Sequence, residues 1–189
     1  NWLKKNKEVN LVILAASWSG QVRMHYNIEH QQNKSNTNLT QRHPEIGADI
    51  AQVAFKHLLS QLIDRNVLLI SDIPRPNKNL NECAFSESTQ LLRNKCTDDK
   101  YRYLDSQETL FWHESSDDLI RNMADQFLNV SAIIPNDFLC EDQQCQTYIN
   151  NELIYRDDNH IRSNLKAVTA DKLADKLTLT TFFDSLTYH

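Results

Sequence analysis

The sequence predicts an α/β fold in which helices cover a mostly parallel sheet. Two observations carry this. Val9 to Ala16, Asn66 to Ser71 and Val130 to Pro135 are short runs dominated by apolar residues and lacking strict alternation, as expected for strands buried on both faces of a parallel sheet. Between them lie stretches whose apolar residues recur every three or four positions, which is helical spacing. Strand, helix, strand, helix, strand, loop, helix is the order of a layered α/β domain.

Each element has its own signal. Ile46, Ile50, Val53, Ala54, Leu58 and Leu62 give the first long helix an apolar stripe after a polar, Asn- and Gln-rich loop from Gln21 to Arg42. Asp72-Ile73-Pro74-Arg75-Pro76 ends the second strand, because proline cannot continue a ladder. Asn77 to Trp112 reads as a polar excursion with a short helix near Ser86 to Asn94. Leu119, Ile120, Met123, Ala124, Phe127 and Leu128 form the next stripe, with Asp117-Asp118 suited to its helix start. A last helix is predicted from Ser163 to Leu177. No internal repeat or low-complexity linker divides the chain, so residues 1–189 read as one domain.

Composition removes several classes of function. The 189 residues carry 24% charged side chains and a net charge of −5, without the basic footprint that nucleic-acid binding needs. The longest apolar run, Leu11 to Ala16, is far short of the ~18 residues of a membrane-spanning helix. With only Gly20 and Gly47, phosphate-cradling glycine loops are excluded. Asn1-Trp2-Leu3-Lys4-Lys5 has neither Met nor an apolar leader core, so the chain is expected to be a piece of a longer protein. Cys83 with Cys96 and Cys140 with Cys145 fall as two local pairs, each flanking a loop-like segment. Two local disulfides are therefore expected, and with them an oxidising compartment. Zinc is the rival reading, but no CxxC spacing or neighbouring His pair supports it.

The residues with chemical promise are Asp157-Asp158-Asn159-His160. Acyl transfer at neutral pH needs a hydroxyl nucleophile activated by a nearby base. Histidine suits that role, and a carboxylate then fixes its tautomer and stabilises the imidazolium. Asp157 and His160, three residues apart in a turn, can face each other as such a unit. The bland alternative is that they cap a helix on a wet surface. Ser19-Gly20 lacks the G-x-S-x-G context of a nucleophile elbow and reads as a loop hydroxyl. His25, His30 and His43 have no metal-ligand spacing, and His57 and His113 have no partner that the sequence reveals.

Phe138-Leu139-Cys140, Cys145, and Leu153 through His160 together resemble the final block of SGNH-hydrolase domains fused to, or partnered with, membrane acyltransferase-3 proteins. Val12-Ile13-Leu14-Ala15-Ala16-Ser17-Trp18 and Val67-Leu68-Leu69-Ile70-Ser71-Asp72-Ile73-Pro74 are similar to two strands of that group, in the same order. The resemblance runs from about residue 9 to 177. It implies a three-layer α/β/α sandwich of flavodoxin-like type, and a periplasmic domain attached to the inner membrane in the full-length protein. It also implies O-acyl transfer, most simply of acetyl, to a hydroxyl of a bacterial surface polysaccharide such as O-antigen. The membrane acyltransferase domain and the glycan are the implied partners, with no cofactor and no metal. His160 and Asp157 become base and orienting acid, and Trp18 a wall of the substrate site.

Three departures accompany the resemblance. No Gly-Asp-Ser occurs in the chain, so the nucleophile and the strand before it are expected upstream of residue 1. After the histidine, relatives usually carry His-Leu-Ser-x-x-Gly-Ala, whereas this chain reads His160-Ile161-Arg162-Ser163-Asn164-Leu165-Lys166. No G-x-N-D motif supplies an oxyanion hole. A glycan-binding or docking module that has lost its active site is the alternative reading.

Overall fold

The computed structural model describes residues 2–20, 22, 44–76, 80, 83 and 99–187. The predicted loop at Gln21 to Arg42, with its histidines, and the predicted helix near Ser86 to Asn94 lie essentially outside the described residues. The chain forms two compact units, residues 1–72 with 113–133 and residues 73–112 with 134–189. No helix among the described residues is long and apolar enough to cross a membrane.

In the first unit, β1 (Leu11–Ala15), β2 (Asn66–Ile70) and β4 (Val130–Ile133) form a parallel sheet in the order β1-β2-β4. Leu11 pairs with Asn66 and Val67 with Val130 at the start of each ladder. The links are α2 (Pro44–Ser60) between β1 and β2, and α4 (Ser106–Gln126) leading into β4. Val67, Leu68 and Leu69 are fully buried, as the continuous apolar run requires. β1 is different. It pairs on one side only among the described residues, and Ile13 is 46% exposed. The expectation that this run is covered on both faces therefore holds for β2 and not for β1, which is an edge strand here.

Side chains tie the amino end of the sheet together. The buried guanidinium of Arg65 donates to the carbonyls of Leu3, at the short helix α1 (Trp2–Lys5), of Asn6 and of Val9. Asn129 Nδ2, just before β4, donates to the carbonyls of Leu62 and Arg65 in the turn that leads into β2. These bonds join backbone segments far apart in sequence.

Two helices depart from their predicted outlines. On α2 and the turn after it, Phe55, Leu59 and Leu62 are buried, whereas Val53 and Leu58 face solvent. The buried face thus lies to one side of the predicted stripe, set by Phe55, whose ring meets Trp18 edge to face at 4.8 Å. α4 begins at Ser106, well before Asp117. Its buried positions among the described side chains are Thr109, His113, Ser116, Asp117, Leu119, Ile120 and Met123, a helical stripe whose first four members are polar. Hydrophobic periodicity does not register such a face.

The second unit is built from short elements. A small antiparallel sheet has the order β3-β6-β5, from Tyr103–Asp105, Gln144–Gln146 and Cys140–Glu141. β3 follows directly on α3 (Asp99–Arg102). The β5–β6 hairpin follows α5 (Pro135–Leu139) and is crossed by the Cys140–Cys145 disulfide. Cys83 is also disulfide-bonded, and Cys96, its expected partner, lies outside the described residues. A second hairpin joins β7 (Tyr148–Ile149) to β8 (Glu152–Leu153). Both hairpins turn on two residues with positive φ, Asp142-Gln143 and Asn150-Asn151, the mirror-image turn that matches strand twist. α6 (Ala167–Lys176) and α7 (Leu179–Thr187) end the described chain.

Candidate active site

The segment around Asp157 organises itself. Tyr155 and Ile161 form an antiparallel bridge. It is closed by Arg156 N–H on the His160 carbonyl at 2.8 Å and Arg162 N–H on the Ile154 carbonyl at 2.9 Å. Within the loop so formed, Asp157 Oδ1 accepts the peptide N–H of Asn159 at 3.0 Å and of His160 at 2.9 Å. This is the local side-chain-to-backbone bonding for which Asp is favoured in turns. The turn brings the His160 ring onto the same carboxylate, with Nδ1 at 2.9 Å from Oδ1 and 3.0 Å from Oδ2. Arg156 Nε donates to Oδ2 at 3.1 Å.

Two further contacts hold the loop to the rest of its unit. The Tyr155 hydroxyl, fully buried, donates to the Pro74 carbonyl at 2.6 Å. Burial pushes that hydroxyl up, so it stays protonated and remains a donor. Asp158 pairs with Arg75 at 2.9 Å, both side chains remaining substantially exposed. Pro74 and Arg75 come from the proline-rich segment at the start of the second unit.

The electrostatics favour contact between the Asp157 carboxylate and the His160 ring. Partial burial is the largest single influence on the Asp157 carboxyl and raises it. The bonds from the Asn159 N–H, the His160 ring, Arg156 and the His160 N–H together outweigh it and hold the carboxyl at about 2. Asp157 is therefore ionised at neutral pH. Its carboxylate selects the imidazole tautomer with hydrogen on Nδ1, leaving Nε2 to accept a proton. The His160 side chain is 56% exposed, so a substrate can reach that nitrogen. A capping role is not what the structure shows. α6 starts at Ala167 behind Lys166, whose N–H is met by the Glu152 carboxylate at 3.2 Å.

Trp18 belongs to the first unit, in a helical turn at residues 18–20 just past the carboxyl end of β1. Its indole Nε1 donates to the Ile70 carbonyl at 2.7 Å, and the following peptide N–H, of Ser19, donates to Asp72 Oδ2 at 2.7 Å. The ring is half-buried. Beside it lie residues whose part the sequence did not disclose. Ser71 Oγ donates to the buried Asp117 Oδ1, and the His113 ring stands 3.6 Å from Asp72. The signal that could have found them is polar residues at helical spacing, Thr109, His113, Ser116 and Asp117. Of the other histidines, His57 lies on the surface with its ring against the Gln61 amide.

Comparison with known proteins places the chain in a family. The family described as "SGNH domain (fused to AT3 domains)" matches residues 1–167. No curated protein matches the chain. Among solved structures, the periplasmic domain of a lipopolysaccharide acetyltransferase from Salmonella ser. Paratyphi A superposes with a TM-score of 0.51 and 16% sequence identity. The alignment covers 95% of this chain and 60% of that one. At that identity the likeness is one of fold, and the fold is the SGNH α/β arrangement around the parallel sheet β1-β2-β4. A match over residues 1–167 settles the lineage: the chain belongs to the family of SGNH domains fused to AT3 domains.

Proposed function

We propose that residues 1–189 are one SGNH-type domain of a periplasmic O-acyltransferase, with its first strand and serine nucleophile supplied from outside this span. The observation that carries the reading is the contact of His160 Nδ1 with the ionised Asp157 carboxylate. In this reading His160 Nε2 removes the serine hydroxyl proton as the oxygen attacks an acyl carbonyl, and returns it to the leaving group. A sugar hydroxyl then gives its proton to Nε2 and attacks the acyl-serine, and Nε2 passes that proton to the departing serine oxygen, releasing serine and the O-acylated glycan. Asp157 keeps the ring oriented and stabilises the imidazolium in both halves. The acyl group is acetyl, the acceptor a bacterial surface polysaccharide, and the donor side a membrane acyltransferase domain. Family membership and the fold shared with a lipopolysaccharide acetyltransferase domain support this assignment.

The test uses the gene-encoded polypeptide extended upstream, assayed with a chromogenic acetyl ester. Hydrolysis that is abolished by His160→Ala and by substitution of an upstream Gly-Asp-Ser serine is the expected result. Turnover that survives His160→Ala removes the assigned base. Glycan binding with no ester turnover in that polypeptide selects the non-catalytic module instead.

A further inference from the structure

The first unit holds a second carboxylate–imidazole pair, separate in sequence from Asp157 and His160. Asp72 follows β2, is nearly buried, and accepts the Ser19 N–H at 2.7 Å. His113, on α4, is 2% exposed and stands 3.6 Å from the same Asp72 oxygen. Neither ring nitrogen of His113 makes a hydrogen bond among the described residues. A buried imidazole without partners costs about 1–3 kcal/mol relative to a satisfied one. The charge it meets is the Asp72 carboxylate, which is itself held by a single peptide donor among the described residues.

The Asp72 member of this pair holds the turn that carries Trp18. The indole is gripped three ways: by the Ile70 carbonyl, by the edge-to-face contact with Phe55, and through the next peptide by Asp72. It sits at the carboxyl ends of parallel strands, where open α/β sheets bind ligands. A partly exposed indole held this firmly is suited to stacking against the C–H face of a sugar, since little freedom remains to be lost on binding.

We infer that Asp72 and His113 are positioning residues that set the Trp18–Ser19 turn as a saccharide-stacking platform. The inference rests on the glycan-acceptor reading above and adds to it the groups that orient the acceptor side.

The experiment is NMR on the upstream-extended polypeptide, following the Ser19 amide and the Trp18 indole N–H, the latter assigned with Trp18→Phe. In Asp72→Ala the Ser19 amide exchanges with solvent about tenfold faster, the equivalent of one lost hydrogen bond. Asp72→Asn keeps an acceptor oxygen and restores slow exchange. His113→Leu keeps the volume and removes the imidazole, and also speeds exchange. Titration with methyl glycosides of rhamnose, galactose, glucose and mannose shifts the Trp18 indole resonance in the wild type. The apparent affinity falls roughly fivefold in Asp72→Ala and His113→Leu, because the platform is no longer preorganised. Unchanged exchange in both variants, glycoside affinity equal to wild type, or no shift of Trp18 with any glycoside in the wild type would each overturn the inference. Failure of the longer polypeptide to turn over acyl esters, with glycoside binding intact, overturns the acyltransferase reading and leaves this one standing.

Discussion

Asp157 Oδ1 accepts both the peptide N–H of His160 and the Nδ1–H of the same residue's ring, each at 2.9 Å. One oxygen thus fixes the backbone and the side chain of its partner together. The arrangement needs only the three-residue spacing and a turn, which explains how so short a motif can preset a carboxylate–imidazole contact.

The first prediction follows from tautomer control. In the upstream-extended polypeptide, Asp157→Asn leaves an oxygen to hold the turn but removes the charge that selects Nδ1–H. Ester turnover should fall by about 10³–10⁴-fold, comparable to His160→Ala, while the circular dichroism spectrum stays as in wild type. A loss of tenfold or less on either substitution argues against the assigned roles.

The second concerns acid. The carboxyl of Asp157 ordinarily titrates at 3.8 and lies at about 2 in the folded chain. A depressed folded value contributes stability that is complete above 3.8 and disappears as pH falls through about 2. The melting-temperature difference between wild type and Asp157→Asn should therefore be constant from neutral pH to just above 4 and shrink below it. A difference that persists unchanged at pH 2 contradicts the hydrogen-bonded carboxylate.

How much of this was legible in the sequence depends on what each residue is asked to do. β2 was readable because Val67, Leu68 and Leu69 are buried by their own apolarity. The dyad was readable because its geometry is local. The first half of α4 was not, because its inward face is Thr109, His113, Ser116 and Asp117, and burial of polar groups is settled by partners distant in sequence. Ser71 lies 46 residues from the Asp117 that accepts its hydroxyl. The two hairpins were missed for a related reason: Asn150-Asn151 and Asp142-Gln143 adopt positive φ without the glycine that usually announces such turns. β1 misled because an apolar run reports the burial a strand needs, and Ile13 is 46% exposed among the described residues.

The third prediction weighs the two anchors of the loop against each other. Arg75 and Asp158 are 41% and 48% exposed, so their pairing is screened by solvent. A double-mutant cycle with Arg75→Ala and Asp158→Ala should give a coupling below about 1 kcal/mol, smaller still in high salt. Tyr155→Phe removes one oxygen from a fully buried position and strands the Pro74 carbonyl. Urea unfolding should show a loss of about 1–3 kcal/mol for that single atom, with little dependence on salt.

The last prediction separates the Cys140–Cys145 disulfide from the chemistry. It closes a short loop, with a sequence separation of 5, across the β5–β6 hairpin. Constraining so short a loop in the unfolded chain contributes about 2 kcal/mol in the chain-entropy picture. The hairpin also pairs with β3, and Cys145 is wholly buried, so the native hairpin retains ladder bonds and packing when the crosslink is absent. Replacing both cysteines by alanine should therefore lower the unfolding free energy by about that amount without removing the fold. The Asp157–His160 contact is made within its own turn, so the ester turnover of the extended polypeptide should be retained at temperatures below the lowered melting point. Loss of turnover in a folded Cys140→Ala, Cys145→Ala protein would instead mean that the hairpin sets the loop's geometry at a distance.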